Sequence, residues 1–217
     1  MTARIVIADD HQIMREGLVS LAEDSEGLTV EGQAESGREA LELCKEKRPD
    51  VVLMDVAMPD LNGVLATRKI MEECPGVKVI GLSSYSDHEY VGEMIKAGAS
   101  GYLLKDSAFQ EIETAVRAVM EDRVYLSPGV AEVVVQGYVR KTPAPGEMGS
   151  TKLSPRETEV LQLLTEGKSS KEIARILDVS VKTVGSHRRR LMEKLDLHSI
   201  AELTKYAVRR GITSLEG

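Results

Sequence analysis

Tryptophan is absent from this chain of 217 residues, phenylalanine occurs once and tyrosine six times. So few rings leave no interleaved stacking platform of the kind that grips single-stranded nucleic acid, while duplex DNA stays open. Cysteine is nearly as scarce: Cys44 and Cys74 lie inside helical patterns, outside any CxxC or metal spacing, and read as packed thiols. No His and Cys cluster exists, so a bound metal would meet oxygen ligands. No apolar run approaches the ~18 residues of a membrane span. The N-terminal Met-Thr-Ala-Arg enters a strand pattern without a secretory apolar core, so a cytoplasmic protein with no membrane partner is expected.

Acidic charge is plentiful but unevenly spread. Residues 1–125 hold 13 Lys and Arg against 24 Asp and Glu, a net of −11; residues 126–150 balance, two against two; residues 151–217 hold 13 against nine, a net of +4. Such asymmetry suggests two domains with separate tasks, the basic one suited to nucleic acid.

Short apolar runs alternate with amphipathic segments through residues 1–121. The runs predict strands at 4–8, 28–33, 51–54, 77–82 and 101–104, with helices near 12–22, 37–47, 63–73, 87–97 and 108–121. Five strand–helix units imply an α/β fold with a five-stranded, parallel, doubly wound (flavodoxin-like) sheet. Gly98 is placed to cap the fourth helix. Residues 122–152 read as a linker with room for one short helix over Pro128–Gly137, and its Pro- and Gly-rich part, Arg140–Ser150, lacks periodicity. Residues 153–217 read as a small all-α domain of four helices, opening on the capping box Ser154-Pro155-Arg156-Glu157.

Val51-Val-Leu-Met54 has the apolar continuity of a strand buried on both faces, and it ends in Asp55; Ile5-Val-Ile-Ala8 ends in Asp9 and Asp10. Ligands of such sheets bind at the carboxyl ends of the strands. If these strands are neighbours, the carboxylates converge, and two of them about 4 Å apart repel by roughly 4 kcal/mol at an effective dielectric near 20. A proton or a hard cation must offset that repulsion, and all-oxygen ligands favour Mg2+ with a phosphate. Ser83, after the fourth strand, and Lys105, after the fifth, bring a hydroxyl and an ammonium to the same edge. Each alone would be a cap, a loop hydroxyl or a solvated cation; the ordered set carries the reading. His11 is read as a surface residue opening the first helix rather than a fourth ligand.

Asp9-Asp10, Asp55 with Met58-Pro59, Ser83 and Gly98-Ala-Ser-Gly-Tyr-Leu-Leu-Lys105 resemble the receiver domain of two-component response regulators. The resemblance implies that Asp55 accepts a phosphoryl group from a sensor histidine kinase. It implies that Asp10 binds Mg2+ directly and Asp9 partly through water, with the Ala57 carbonyl completing the protein ligands. Ser83 and Lys105 would hold the phosphoryl group, and Tyr102 would turn inward behind it as a switch. Ala57 stands where an aspartyl-phosphate phosphatase carries its second acid, so no enzyme activity is expected beyond self-phosphorylation and self-dephosphorylation at Asp55.

In the basic segment, helices at 155–166, 170–177 and 181–195 are separated by short breaks, and Ser180 is placed as an N-cap at the turn of a helix-turn-helix. At 100° per residue, Val181, Val184, Leu191 and Leu195 face inward, and Lys182, Ser186, Arg189 and Glu193 face outward. Thr183, Arg188, Arg190 and Lys194 flank that face, where phosphates line a major groove. The runs Leu153–Leu161, Ser170–Ala174 and Lys182–His187 resemble the LuxR-type helix-turn-helix domain of NarL/FixJ response regulators, which adds His187 to the DNA-contacting set. That resemblance also implies a dimer through a last helix at about 199–210, with Ala201, Thr204 and Val208 as interface residues. Gly185 departs from the family pattern, where a larger side chain is common, and leaves Arg189 and Lys182 as the main base-reading residues. The expectation is a transcription regulator, homodimeric on activation, that occupies two half-sites of double-stranded DNA when Asp55 is phosphorylated.

Overall fold

The computed structural model describes residues 2–84, 88–140 and 153–213. They form two units, Met1–Thr142 and Pro143–Gly217. The first is built on β1 (Ala3–Ala8), β2 (Leu28–Ala34), β3 (Val51–Asp55), β4 (Lys78–Ser83), β5 (Gly101–Leu104) and β6 (Tyr125–Leu126). These pair in the order β2-β1-β3-β4-β5-β6, every pair parallel. Helices α1 (Gln12–Glu23), α2 (Gly37–Lys47), α3 (Gly63–Glu73), α4 (His88–Ala97) and α5 (Lys105–Met120) connect the strands, and α6 (Pro128–Arg140) follows β6.

Alternate residues of the central strands feed opposite faces of the sheet, and each face carries its own core. Val6, Ala8, Val52 and Met54 pack with Leu41, Leu65, Ile70 and Met94 from α2, α3 and α4; Ile5, Ile7, Val51 and Leu53 pack with Leu18, Ile112 and Val116 from α1 and α5. Both cysteines are buried in the first core, and burial pushes the Cys44 thiol up to about 12, which makes it an inert packing group.

Two elements depart from the sequence expectation. The sheet has a sixth strand, whose two residues pair Tyr125 with Gly101 and Leu126 with Tyr102; two residues are too few to leave a periodic signal. The α6 helix that follows places Val130 in the first core, so this segment packs as part of the first unit. Helix α5 begins at Lys105, three residues early, directly from the strand end at Leu104 and without a side-chain cap. Gly98 has φ +107°, its amide and that of Ala99 bond back to Ile95 and Met94, and the expected cap on α4 is present. Of the Pro- and Gly-rich stretch, residues 141–150 lie outside the described residues.

The second unit comprises α7 (Pro155–Thr165), α8 (Ser170–Ile176), α9 (Val181–Leu195) and α10 (Ile200–Arg209) around Val160, Leu161, Leu164, Ile173, Val184, Leu191, Leu203 and Ala207. Ser154, Ser169 and Ser199 each close a capping box, with Glu157, Glu172 and Glu202. Val181, expected to face inward, is 47 % exposed; it lies in the first turn of α9, and burial begins at Val184. None of the described helices is long and apolar enough to cross a membrane.

Gly63, the first residue of α3, is where the fold presses hardest on the loop after β3. A Cβ there would lie 2.0 Å from the Asp55 carbonyl oxygen, a backbone atom that cannot swing aside. Gly63→Ala is expected to destabilise the first unit by about 3 kcal/mol, the upper end of overpacking costs. Urea unfolding followed by circular dichroism would measure this, and a wild-type midpoint would contradict it.

Candidate functional site

Strand register assembles the site. Ala8 pairs with Met54, so the next residues, Asp9 and Asp55, emerge side by side; Asp55 pairs with Leu82, one residue before Ser83; and Ser83 pairs with Leu104, one residue before Lys105. Four side chains of three chemical kinds thus share one edge, at the point between β1 and β3 where the strand order reverses. Asp9 and Ser83 are buried and Asp55 is 3 % exposed.

Lys105 Nζ lies 2.8 Å from Asp55 Oδ2, as a hydrogen bond, and 2.8 Å from Asp9 Oδ2, as an ion contact without hydrogen-bond alignment. Asp55 Oδ1 accepts the Ala57 amide at 3.3 Å, and Asp9 Oδ1 accepts the His11 amide at 2.9 Å. Buried Asp9 Oδ2 and Asp10 Oδ1 are left with no aligned donor. Burial, and then the Asp9 carboxylate beside it, push the Asp55 carboxyl up to about 7 against the opposing pull of Lys105 and the Ala57 amide. Burial alone would lower the Lys105 ammonium, but the Asp55 and Asp9 carboxylates outweigh it and hold its pKa above the usual value. One ammonium therefore does not balance the carboxylates at this edge.

The donor set fits a cation. One ligand atom each from Asp9, Asp10, His11 and Asp55 lie within 4.8 Å of one another, and buried carboxylate oxygens without aligned donors are suited to a hard divalent ion. His11 does open α1, as expected of a surface residue, but its ring turns toward the acids: Nδ1 is 2.9 Å from Asp10 Oδ1 and 3.3 Å from Asp9 Oδ1. Tyr102 is fully buried, and space for it exists because Gly81 has no side chain; a Cβ there would meet Met94 at 2.9 Å and Tyr102 at 3.2 Å.

Sequence reading missed Arg15. Its guanidinium, 8 % exposed, donates to the Asp9 carbonyl oxygen at 2.7 Å and to Glu35 at 2.6 Å, clamping the chain at the end of β1. The available signal was its position: Arg15 shares the buried stripe of α1 with Leu18 and Ala22, where a charge needs a partner.

In the second unit, Ser180 caps α9 by accepting the Thr183 amide at 3.0 Å, and Asp178, at φ 49°, makes the turn from α8. Lys182, Ser186, Arg189 and Arg190 are exposed, while Thr183, His187 and Arg188 are half-buried along its flanks. At Gly185 no atom lies within 4 Å of a built Cβ, so the helix surface is bare there. Lys194, expected on the groove wall, has its Nζ 2.8 Å from Glu157 Oε2, so it ties α9 to the capping box of α7. Burial would raise the Glu157 carboxyl, yet Lys194 and the Ser154 amide hold it below the usual range. Ala201 is exposed and Thr204 and Val208 half-buried, all off the stripe formed by Leu203 and Ala207.

Comparison with known proteins agrees with both halves. The family model "Response regulator receiver domain" matches residues 5–117, and "Bacterial regulatory proteins, luxR family" matches residues 151–207. The chain is 35 % identical over 212 residues to the response regulator UvrY of Escherichia coli, covering 98 % of this chain and 96 % of that one. It is 38 % identical to the oxygen regulatory protein NreC of Staphylococcus carnosus, covering 95 % and 97 %. Among solved structures, RcsB of Salmonella enterica serovar Typhimurium, bound to promoter rprA in the presence of the phosphomimetic BeF3-, has a TM-score of 0.65 at 25 % identity, covering 95 % of this chain and 98 % of that one. With a receiver domain at its acidic end and a LuxR-type helix-turn-helix domain at its basic end, the chain belongs to the NarL/FixJ family of response regulators, which are DNA-binding transcription regulators rather than conventional enzymes.

Proposed function

We propose that Asp55 accepts a phosphoryl group from the phosphohistidine of a sensor kinase, and that this converts the chain into a homodimer able to occupy two half-sites of double-stranded DNA. The observation that carries the reading is the bridge of Lys105 between Asp9 and Asp55 at one buried sheet edge. A carboxylate oxygen of Asp55 attacks phosphorus, the O–P bond forms as the N–P bond of the donor breaks, and the electron pair stays on the donor imidazole. Lys105 then has a phosphoryl oxygen to bind in place of the Asp55 carboxylate, and the Ser83 hydroxyl donates to another. Asp9, Asp10, Asp55 and the Ala57 carbonyl would hold Mg2+, which would supply positive charge against the phosphoryl oxygens. Tyr102 reports the change from behind Ser83. The protein works in the cytoplasm, where its kinase partner presents the phosphohistidine.

DNA reading falls to α9. Lys182, Ser186 and Arg189 contact base edges, while Thr183, His187, Arg188 and Arg190 contact phosphates on either side. A promoter complex of RcsB, formed with a phosphomimetic, supports the same use of this chain's second unit. Ala201, Thr204 and Val208 on α10 are the proposed dimer contacts.

Incubation with a small phosphodonor and Mg2+ is expected to add the mass of one phosphoryl group, and Asp55→Asn to abolish the gain; undiminished labelling of the variant would refute the assignment. Because proton and cation compete for Asp55, Mg2+ binds more tightly as the pH rises. Below about pH 7 its affinity is expected to fall roughly tenfold per pH unit in calorimetric titrations. Arg189→Ala should cost about 1 to 3 kcal/mol on operator and relax selectivity, whereas Arg188→Ala should weaken binding to all sequences alike. Lys194→Ala should instead lower the stability of the second unit by about 1 kcal/mol, the scale of a lost ion pair, and leave operator affinity nearly unchanged.

A further inference from the structure

His11 stands beside the acids, in the donor cluster but outside the set proposed to hold Mg2+. His11 is the N-cap residue of α1 but makes no side-chain cap. Its backbone amide is tied to Asp9 Oδ1, and that tie holds the imidazole over the carboxylates, with Nδ1 2.9 Å from Asp10 Oδ1 and 3.3 Å from Asp9 Oδ1. Asp9 Oδ2, fully buried, has the Lys105 ammonium 2.8 Å away but no aligned donor. The four ligand atoms of Asp9, Asp10, His11 and Asp55 span at most 4.8 Å. Ligands on opposite sides of an octahedral cation with bonds of about 2.1 Å stand about 4.2 Å apart, so a shift of a few tenths of an ångström would bring all four into contact with one ion.

We propose that His11 supplies Nδ1 as a nitrogen ligand to the cation held by Asp9, Asp10 and Asp55, so that the site takes imidazole-favouring divalent cations of the first transition row, such as Ni2+ and Co2+, in preference to Mg2+. This rests on the reading of the acid cluster as a cation site and adds to it one ligand and an order of selectivity. Carboxylates and water suit Mg2+, whereas an imidazole raises affinity along the series from Mn2+ to Ni2+. Bound through Nδ1, the imidazole would share the ion with the Asp10 carboxylate that it already approaches at 2.9 Å. His11 is half-exposed in a loop, so its replacement leaves both cores of the receiver intact.

Mn2+ bound to the tag-free full chain, studied by pulsed electron paramagnetic resonance, tests this directly. Nitrogen modulation from a directly bound imidazole is expected in the wild type and not in His11→Ala or His11→Gln. Titration calorimetry should show Ni2+ affinity reduced about tenfold or more in both variants, by analogy with the 10- to 100-fold lost with even an outer partner, and Mg2+ affinity reduced by a clearly smaller factor. Mn2+ that binds and is displaced by Mg2+ but shows no nitrogen coupling would overturn the inference and leave the cation site standing. Equal losses of Ni2+ and Mg2+ in the variants would assign His11 a purely structural role and also overturn it. Failure of both Mn2+ and Mg2+ to bind the wild type would overturn the cation site itself, and the inference with it.

Discussion

Parallel pairing of β1 with β3 sets Asp9 beside Asp55, and everything proposed for this molecule follows from the charge thereby buried. Lys105 offsets part of it, with one ammonium between two carboxylates. The remainder appears in the raised Asp55 carboxyl and in the unaligned oxygens of Asp9 and Asp10. A site in this condition gains from any cation that enters, and it gives a phosphoryl group arriving at Asp55 an ammonium already in place. The cost of burying like charges is carried by a sheet whose two faces are both covered by helices, so the edge is held while the ligands change.

The surroundings refine that edge. Arg15 fixes the Asp9 carbonyl, Gly63 lets the loop after β3 fold back on the Asp55 carbonyl, and Gly81 opens the space that Tyr102 fills. On the far side of Tyr102 the chain continues into β6 and α6: the Ser127 amide bonds to the Tyr102 carbonyl, and the Ser127 hydroxyl donates to Glu111 of α5 at 2.7 Å. These bonds tie the β6–α6 segment to the strand that carries Tyr102 and to α5. In that unit charge is divided differently: Lys194 is held by Glu157, whereas Arg189 and Arg190 stay exposed on α9.

Much of this was legible in the sequence because it is written in strong local signals. Four-residue apolar runs marked the central strands, and each candidate side chain ends or directly follows its strand, so that locating the strands placed these side chains on one edge. Serine caps at 154 and 180 marked the helices of the basic domain. What stayed hidden depends on contacts distant in sequence. Strand β6 is two residues long and exists through pairing with β5. The inward turn of His11 arises from loop closure onto Asp9, which a helix-start pattern does not encode. Lys194 shares the angular position of a phosphate contact on a helical wheel, and only the packing of α7 against α9 brings Glu157 within its reach. Val181 was misread for the same reason, since periodicity says which side of a helix faces inward but not where along it the core begins.

Phosphorylation at Asp55 as the determinant of DNA occupancy is the central claim, and one paired measurement addresses it: molar mass by light scattering and operator affinity at fixed salt, each with and without a small phosphodonor in Mg2+. The account predicts that the donor shifts wild-type protein from monomer to dimer and tightens operator binding, and that Asp55→Asn responds in neither respect. Unphosphorylated wild-type protein that is already dimeric and binds operator as tightly as the phosphorylated form would contradict it.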